Sequence, residues 1–297
     1  MKKKIRNTKK NKHKNKNKTK KNHDFVQCGP LSGNKSYTCF TSSQIFKLKD
    51  IWNKRRPDKK INDNDPRGIW NILRINMQNS CNRESCWLRQ NIFSLKLDKG
   101  LFNVFAPLRP KTWDQNKNEW LSGSDIEKVM KQYEAAYPNF AFIGPSPIDF
   151  DTPKVYNTCV WDELCKFDLG HYLKKNKTKI GIIFNTDPHY KGGSHWVCMY
   201  IDIPKKIIYY FDSVGDKAPK QISKLVKKIQ YQGNELGIDL KYKENHPFEH
   251  QKGNTECGIY VMYFITEILE GRKELEYFTQ HKISDDEMEK YRKIYFN

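Results

Sequence analysis

The stretch Ile259-Tyr-Val-Met-Tyr-Phe-Ile-Thr-Glu-Ile-Leu-Glu270 constrains this chain more than any other segment. Its positions Val261, Met262, Ile265, Ile268 and Leu269 recur at helical spacing, which predicts a helix. A helix this apolar has to be buried, so other elements must pack around it. Cys257-Gly258 stands at its head. Unpaired N–H groups and the helix dipole at that end favour an anion. A cysteine attacks carbonyl carbon as thiolate, and a free thiol ionises only near pH ~8.5, so such a position suits a nucleophile. A histidine held by a carboxylate would complete the activation.

Two upstream segments supply those groups. Ser194-His-Trp-Val-Cys-Met-Tyr-Ile-Asp-Ile203 and Lys206-Ile-Ile-Tyr-Tyr-Phe-Asp212 are rich in β-branched and aromatic residues, and Pro204-Lys205 suits a tight turn between them. If Ile203 pairs with Lys206, Val197 lies opposite Asp212 and His195 lies diagonally from it. Side chains alternate faces along a strand, so His195 and Asp212 share a face about 7 Å apart or less. Asp202 falls on the other face and is the poorer orienter. An acyl-transfer intermediate also needs donors aimed at its oxyanion. Gln251, six residues before Cys257 on the loop Glu249–Glu256, can supply one, and the Cys257 N–H another. Gly253 and Gly258 let that loop approach a substrate. His189, His246 and His250 are weaker candidate bases; His250 adjoins Gln251, but its side chain is expected to point the other way.

In this order and with these gaps, His195-Trp196, Asp212-Ser213, Gln251 and Cys257-Gly258 resemble the adenain and ubiquitin-like-protein protease clan, which includes SUMO-specific proteases and maturation proteases of large DNA viruses. The resemblance covers Trp120 to Glu270. Trp120-Leu-Ser122, followed by the helical Asp125–Glu134, is similar to the Trp-Leu motif that opens those domains. The resemblance implies Cys257 as nucleophile, His195 as general base and acid, Asp212 as orienter and Gln251 as oxyanion donor. It implies that Trp196 walls a narrow slot for glycine, and that substrates are cleaved after Gly-Gly or Gly-X-Gly sequences. Neither a metal nor an organic cofactor is required.

The implied fold is α+β: a mixed central β-sheet packed against helices, the nucleophile at a helix N-terminus, and a small helical N-terminal module. Lys179–Phe184 reads as a central strand, Pro219–Ile229 as a helix and Ile238–Tyr242 as a last strand, while Ala106-Pro107 and Pro145-Ser-Pro147 mark loops. A disordered basic tail is expected over 1–24, the module over 25–105 and the catalytic domain over 106–297. In the module, Thr41–Gln44 is expected to cap a helix over Ile45–Trp52, and Pro66–Met77 to form a second. Cys28, Cys39, Cys81 and Cys86 raise a zinc reading, but their gaps are not those of paired C-x-x-C knuckles, so ordinary buried cysteines are expected.

Residues 1–22 hold twelve Lys or Arg and no acid, out of a net charge of +20 over 297 residues. That tail can neutralise phosphates non-specifically or serve as a nuclear-import address. It lacks aromatic residues, so it is not expected to read base sequence. No apolar run of about eighteen residues is present and the N-terminus carries no apolar signal region, so neither membrane spanning nor export is indicated. Eight cysteines without such a signal suggest a reducing compartment: the virion or the host cytoplasm, with the nucleus open through the tail.

The leading functional expectation is a thiol endopeptidase that cleaves after glycine and processes viral structural polyproteins. Three alternatives stay open: a SUMO or ubiquitin-like deconjugating isopeptidase, an acyltransferase using the same Cys and His, and a nucleic-acid-binding virion protein with a silent site.

Overall fold

A computed structural model describes residues 28–32, 37–81, 83–93 and 101–297. The expected tail over 1–24 lies outside the described residues, as does part of the expected module. Among the described residues, five strands form one sheet in the order β1-β2-β3-β4-β5: β1 (Phe140–Pro147), β2 (Lys179–Asn185), β3 (Trp196–Asp202), β4 (Ile207–Phe211) and β5 (Lys241–Glu244). β1 and β2 are parallel, β2–β3 and β3–β4 antiparallel, and β4–β5 parallel. This is the mixed sheet the sequence implies.

The hairpin has the expected register. Asp202 pairs with Ile207 and Cys198 with Phe211. Pro204 and Lys205 occupy the centre of the turn, which the Lys206 N–H closes by donating to the Ile203 carbonyl at 3.0 Å. Proline at that position supplies the φ the turn needs.

Helices cover both faces of the sheet, so β3 and β4 are buried almost throughout and read as continuous apolar runs. On one face lie α4 (Gly123–Ala136), α8 (Cys257–Leu269) and α10 (Asp285–Tyr295), around a core that includes Tyr200, Phe211 and Phe264. The other face packs Ile182, Val197 and Tyr210 beneath α5 (Asp162–Cys165), α6 (Leu169–Lys174) and α7 (Lys220–Glu235). Every residue of α8 is buried, as its composition requires, because it runs between the sheet and α4 and α10. A short α9 (Tyr277–Gln280) precedes α10.

The N-terminal elements α1 (Ser42–Arg55), α2 (Pro66–Met77) and α3 (Glu84–Trp87) surround a third core, with Leu48, Trp52, Leu73, Trp87 and Phe93 at its centre. Thr41 and Gln44 form the expected capping box, and Asp65 caps α2.

Two expectations are corrected. Pro145 and Pro147 belong to β1 rather than a loop; β1 is an edge strand whose register shifts between Ile143 and Ser146, and proline is tolerated where no ladder bond is lost. The cysteines of the N-terminal region are neither zinc ligands nor free thiols: Cys28 is bonded to Cys39 and Cys81 to Cys86, and Cys159 pairs with Cys165. Their Cα separations of 5.2, 5.7 and 6.3 Å lie within bridging range. Cys198 and Cys257 are free and buried. Among the described residues no helix is long and apolar enough to cross a membrane.

Candidate active site

Antiparallel pairing brings the start of β3 and the end of β4 to one end of the sheet, where α8 also begins. His195 lies one residue before β3 and Asp212 one residue after β4. His195 Nε2 and Asp212 Oδ1 are 2.7 Å apart. Asp212 is 2% exposed and held on several sides. Its N–H donates to Asn245 Oδ1 at 2.9 Å, Asn245 Nδ2 donates to its carbonyl at 2.7 Å, and the Val214 N–H donates to Oδ1 at 3.0 Å. Asn245 follows β5 directly, so the parallel β4–β5 pairing delivers the group that fixes the Asp212 backbone.

The Cys257 side chain also acts on the His195 ring through hydrogen bonding and charge. Since Nε2 faces Asp212, Nδ1 is the nitrogen left for it. Burial pulls the proton affinity of the ring down, but the hydrogen bonds and charges of Asp212 and Cys257 outweigh it and raise the pKa from 6.5 to about 10. The pocket therefore favours the imidazolium. Cys257 itself is 4% exposed, at the first position of α8, where helix N–H groups have no carbonyl behind them.

Gln251 is buried and oriented by two bonds. Ser213 Oγ donates to its Oε1 at 2.7 Å, and its Nε2 donates to the Gly253 carbonyl at 2.9 Å. A primary amide has two N–H donors, so one is left after the bond to Gly253. The Ser213 carbonyl accepts from both the His250 and Gln251 N–H groups at 2.8 Å, which ties this loop to the turn carrying Asp212.

The rival groups are engaged elsewhere. Asp202 sits at the far end of β3, buried, and accepts from the Lys205 N–H at 3.0 Å. The His250 ring turns away, with Nε2 2.9 Å from the Phe278 carbonyl and Nδ1 3.3 Å from the Ile283 N–H. Burial lowers its pKa to about 4, so it stays neutral. His246 bonds the Gly215 carbonyl and His189 the Asp149 carboxylate.

A cleft of about 560 Å³ is lined by Ser194 and Trp196, the residues on either side of His195. Trp196 Nε1 donates to the Leu121 carbonyl at 3.1 Å, which holds the indole as one wall. Trp120, Gly123, Pro145 and Gly193 line the rest with it. Gly193 has φ +91°, and a Cβ there would come within 2.8 Å of Asn185 Nδ2. Asn185 in turn accepts from the Asp187 and Ser194 N–H groups, so the glycine-bearing loop is fastened beside His195.

The family model for the C-terminal catalytic domain of the Ulp1 proteases matches residues 170–297. A protein of Acanthamoeba polyphaga mimivirus named as a thiol protease is 30% identical over 291 residues, which span 91% of this chain and 92% of that one. The chain belongs to the Ulp1 family of cysteine proteases. Within this family, the SUMO-1 cysteine protease of African swine fever virus is 25% identical over 231 residues, 71% of this chain and 81% of that relative. The crystal structure of the African swine fever virus protease shares the fold at a TM-score of 0.63 and 21% identity, across 80% of this chain and 93% of that one. These relatives of the Ulp1-type protease come from large DNA viruses.

Two groups at this site carry no local sequence signature. Asn245 is an ordinary polar residue in a loop until β5 is paired. Arg292 lies on α10, whose start is marked by Ser284 and Glu287 at capping spacing with acids in the first turn. That signal locates the helix but not the target of its arginine.

Proposed function

We propose that this cysteine protease cleaves peptide bonds after glycine. The observation that carries the reading is Trp196, which lines the cleft together with Trp120, Gly123 and Gly193 and also packs against Gly258, the residue after Cys257. At Gly258 a Cβ would come within 3.1 Å of Leu121 and 3.3 Å of Trp196, so the space beside the thiol is tight and suits glycine next to the scissile bond.

The Cys257 thiolate attacks the glycyl carbonyl carbon, and its sulfur forms a thioester as the C–N bond breaks. The free N–H of Gln251 and the Cys257 N–H stabilise the oxyanion. The His195 ring is protonated near neutral pH and donates its proton to the leaving amine. Water then attacks the thioester, with the neutral ring as base. Asp212 keeps Nε2 occupied, so Nδ1 faces the sulfur throughout.

The substrates on this reading are viral structural polyproteins with Gly-Gly-X or Gly-X-Gly sites. The name of the African swine fever virus relative favours a second reading, removal of a ubiquitin-like protein. Purified protein is mixed with Gly-Gly-X peptides, with structural polyproteins of the same genome and with ubiquitin-like precursors, using Cys257→Ala as the blank. Cuts after glycine in the first two are expected; cuts in the precursors alone establish deconjugation, and cuts after larger residues overturn the glycine reading. The basic residues 1–22 are read as a non-specific nucleic-acid contact, which is checked by binding to duplexes of unrelated sequence at rising salt.

A further inference from the structure

The residue just before Cys257 is an acid. Glu256 is 2% exposed, and its carbonyl opens α8 by accepting from the Ile259 and Tyr260 N–H groups at 2.9 Å. A buried carboxylate beside a thiol opposes thiolate formation unless a cation cancels it. The cation comes from α10. Arg292 is 4% exposed, and its Nε donates to Glu256 Oε1 at 3.0 Å and Oε2 at 2.7 Å. Nη2 donates to the Thr255 carbonyl at 3.0 Å and Nη1 to the Glu119 carbonyl at 2.8 Å, while the guanidinium lies 4.7 Å from the centre of the Trp113 ring. One side chain thus joins the loop that ends at the nucleophile, the strap that leads into Trp120-Leu121, and the C-terminal helix.

The other charged groups around this point are mostly acids. Asp285, at the head of α10, accepts from the Lys252 and Gly253 N–H groups and from the Tyr260 hydroxyl. Glu287 on α10 lies near enough to Tyr260 to act on its hydroxyl. From the sheet side, His195 with Asp212 faces the thiol. Among the described residues, the cation paired with the Glu256 carboxylate is Arg292.

We propose that Arg292 is a positioning residue for the nucleophile: it cancels the buried charge of Glu256 beside Cys257 and fixes the Thr255–Glu256 backbone from which α8 starts. This rests on the reading of Cys257 as the attacking thiolate. The direct contacts of Arg292 reach Cys257 only through the preceding residue, so its effect is on thiolate formation rather than on the substrate.

The test is the pH dependence of iodoacetamide alkylation of Cys257 in the full chain, followed by the mass of its peptide, with Cys257→Ala as the blank. In Arg292→Met, alkylation at pH 6 is expected to slow by about tenfold, equivalent to one pH unit in thiolate formation, and to approach the parent rate at pH 9. The double variant Glu256→Gln/Arg292→Met removes both charges and restores the rate at pH 6 to within about twofold. Glu256→Gln alone leaves an unopposed cation and alkylates at least as fast as the parent at pH 6. An Arg292→Met profile that superimposes on the parent overturns the proposal, as does a double variant that keeps the defect or a Glu256→Gln variant that slows. Should Arg292→Met fail to fold by circular dichroism, Glu256→Gln decides alone. Alkylation needs no peptide substrate, so a profile as expected in a chain that cuts nothing refutes the protease reading only, whereas normal proteolysis with unchanged alkylation refutes this one.

Discussion

At Asp212 the chemistry of the site reduces to one carboxylate oxygen 2.7 Å from a ring nitrogen. Its hydrogen bond and charge contribute to holding the His195 pKa at about 10 against burial. The folded value lies above the ordinary 6.5, so the stability this interaction contributes is fully present below about pH 6.5 and is lost as pH rises through about 10. In the proposed mechanism the same sign governs catalysis: the protonated ring is the working form, and kcat/KM is expected to fall on the alkaline side when the ring loses its proton. Asp212→Asn therefore moves the alkaline limb toward neutral pH and lowers the maximum by about a hundredfold or more; a pH series of kcat/KM on a Gly-Gly-X peptide with an unmoved limb refutes it. Gln251→Ala removes an oxyanion donor, and kcat is expected to fall by about a hundredfold or more with KM nearly unchanged. A rise in KM instead would place Gln251 in ground-state binding. His195, Asp212 and Cys257 were legible because each is a reactive residue type beside a strong periodic pattern. Asn245 was not, since its role depends on a parallel neighbour strand that local pattern does not encode.

Among the elements, α8 and the β3–β4 hairpin were the most readable. The apolar content of α8 permits only burial, and the hairpin's turn residues set its register, so Asp202↔Ile207 follows once Pro204-Lys205 is placed at the turn. β1 was misread because proline usually ends a strand, and only its position at the sheet edge makes proline acceptable there. Helix α4 supplies the cleft as well as packing: Ser122 and Asp125 form its capping box, and the adjoining Leu121 carbonyl holds the Trp196 indole. A Cβ on Gly258 would sit 3.1 Å from Leu121 and 3.3 Å from Trp196 Cδ1. Gly258→Ala is accordingly expected to push this wall outward and raise KM about fivefold, while Cys257 alkylation stays within about twofold. An unchanged KM in that variant excludes the wall as a determinant of substrate fit.

Across the whole molecule, the two cores flanking the sheet draw on residues from Trp113 onward, and the third core ends at Phe105. Pro107 and Arg109 close the larger body by bonding the backbone of Asn297. Residues 106–297 are therefore expected to melt cooperatively on their own and to keep peptide cleavage within about tenfold of the full chain. A broad, non-cooperative transition in that fragment would show that the body depends on the N-terminal elements.

The sequence by itself determined the chemistry available: a thiol at the head of a helix that must be buried, a histidine and an acid in a hairpin whose register follows from its turn, and an amide six residues before the thiol. Those are local properties, set by side-chain type and by periods of two and 3.6 residues. Only the tertiary structure decided which nitrogen of His195 is held by Asp212, which acid has its backbone pinned by Asn245, and that Arg292 reaches across 36 positions of chain to pair with Glu256. Each of these depends on distances between segments far apart in sequence, and those distances are fixed by the packing of α8 between the sheet and α10.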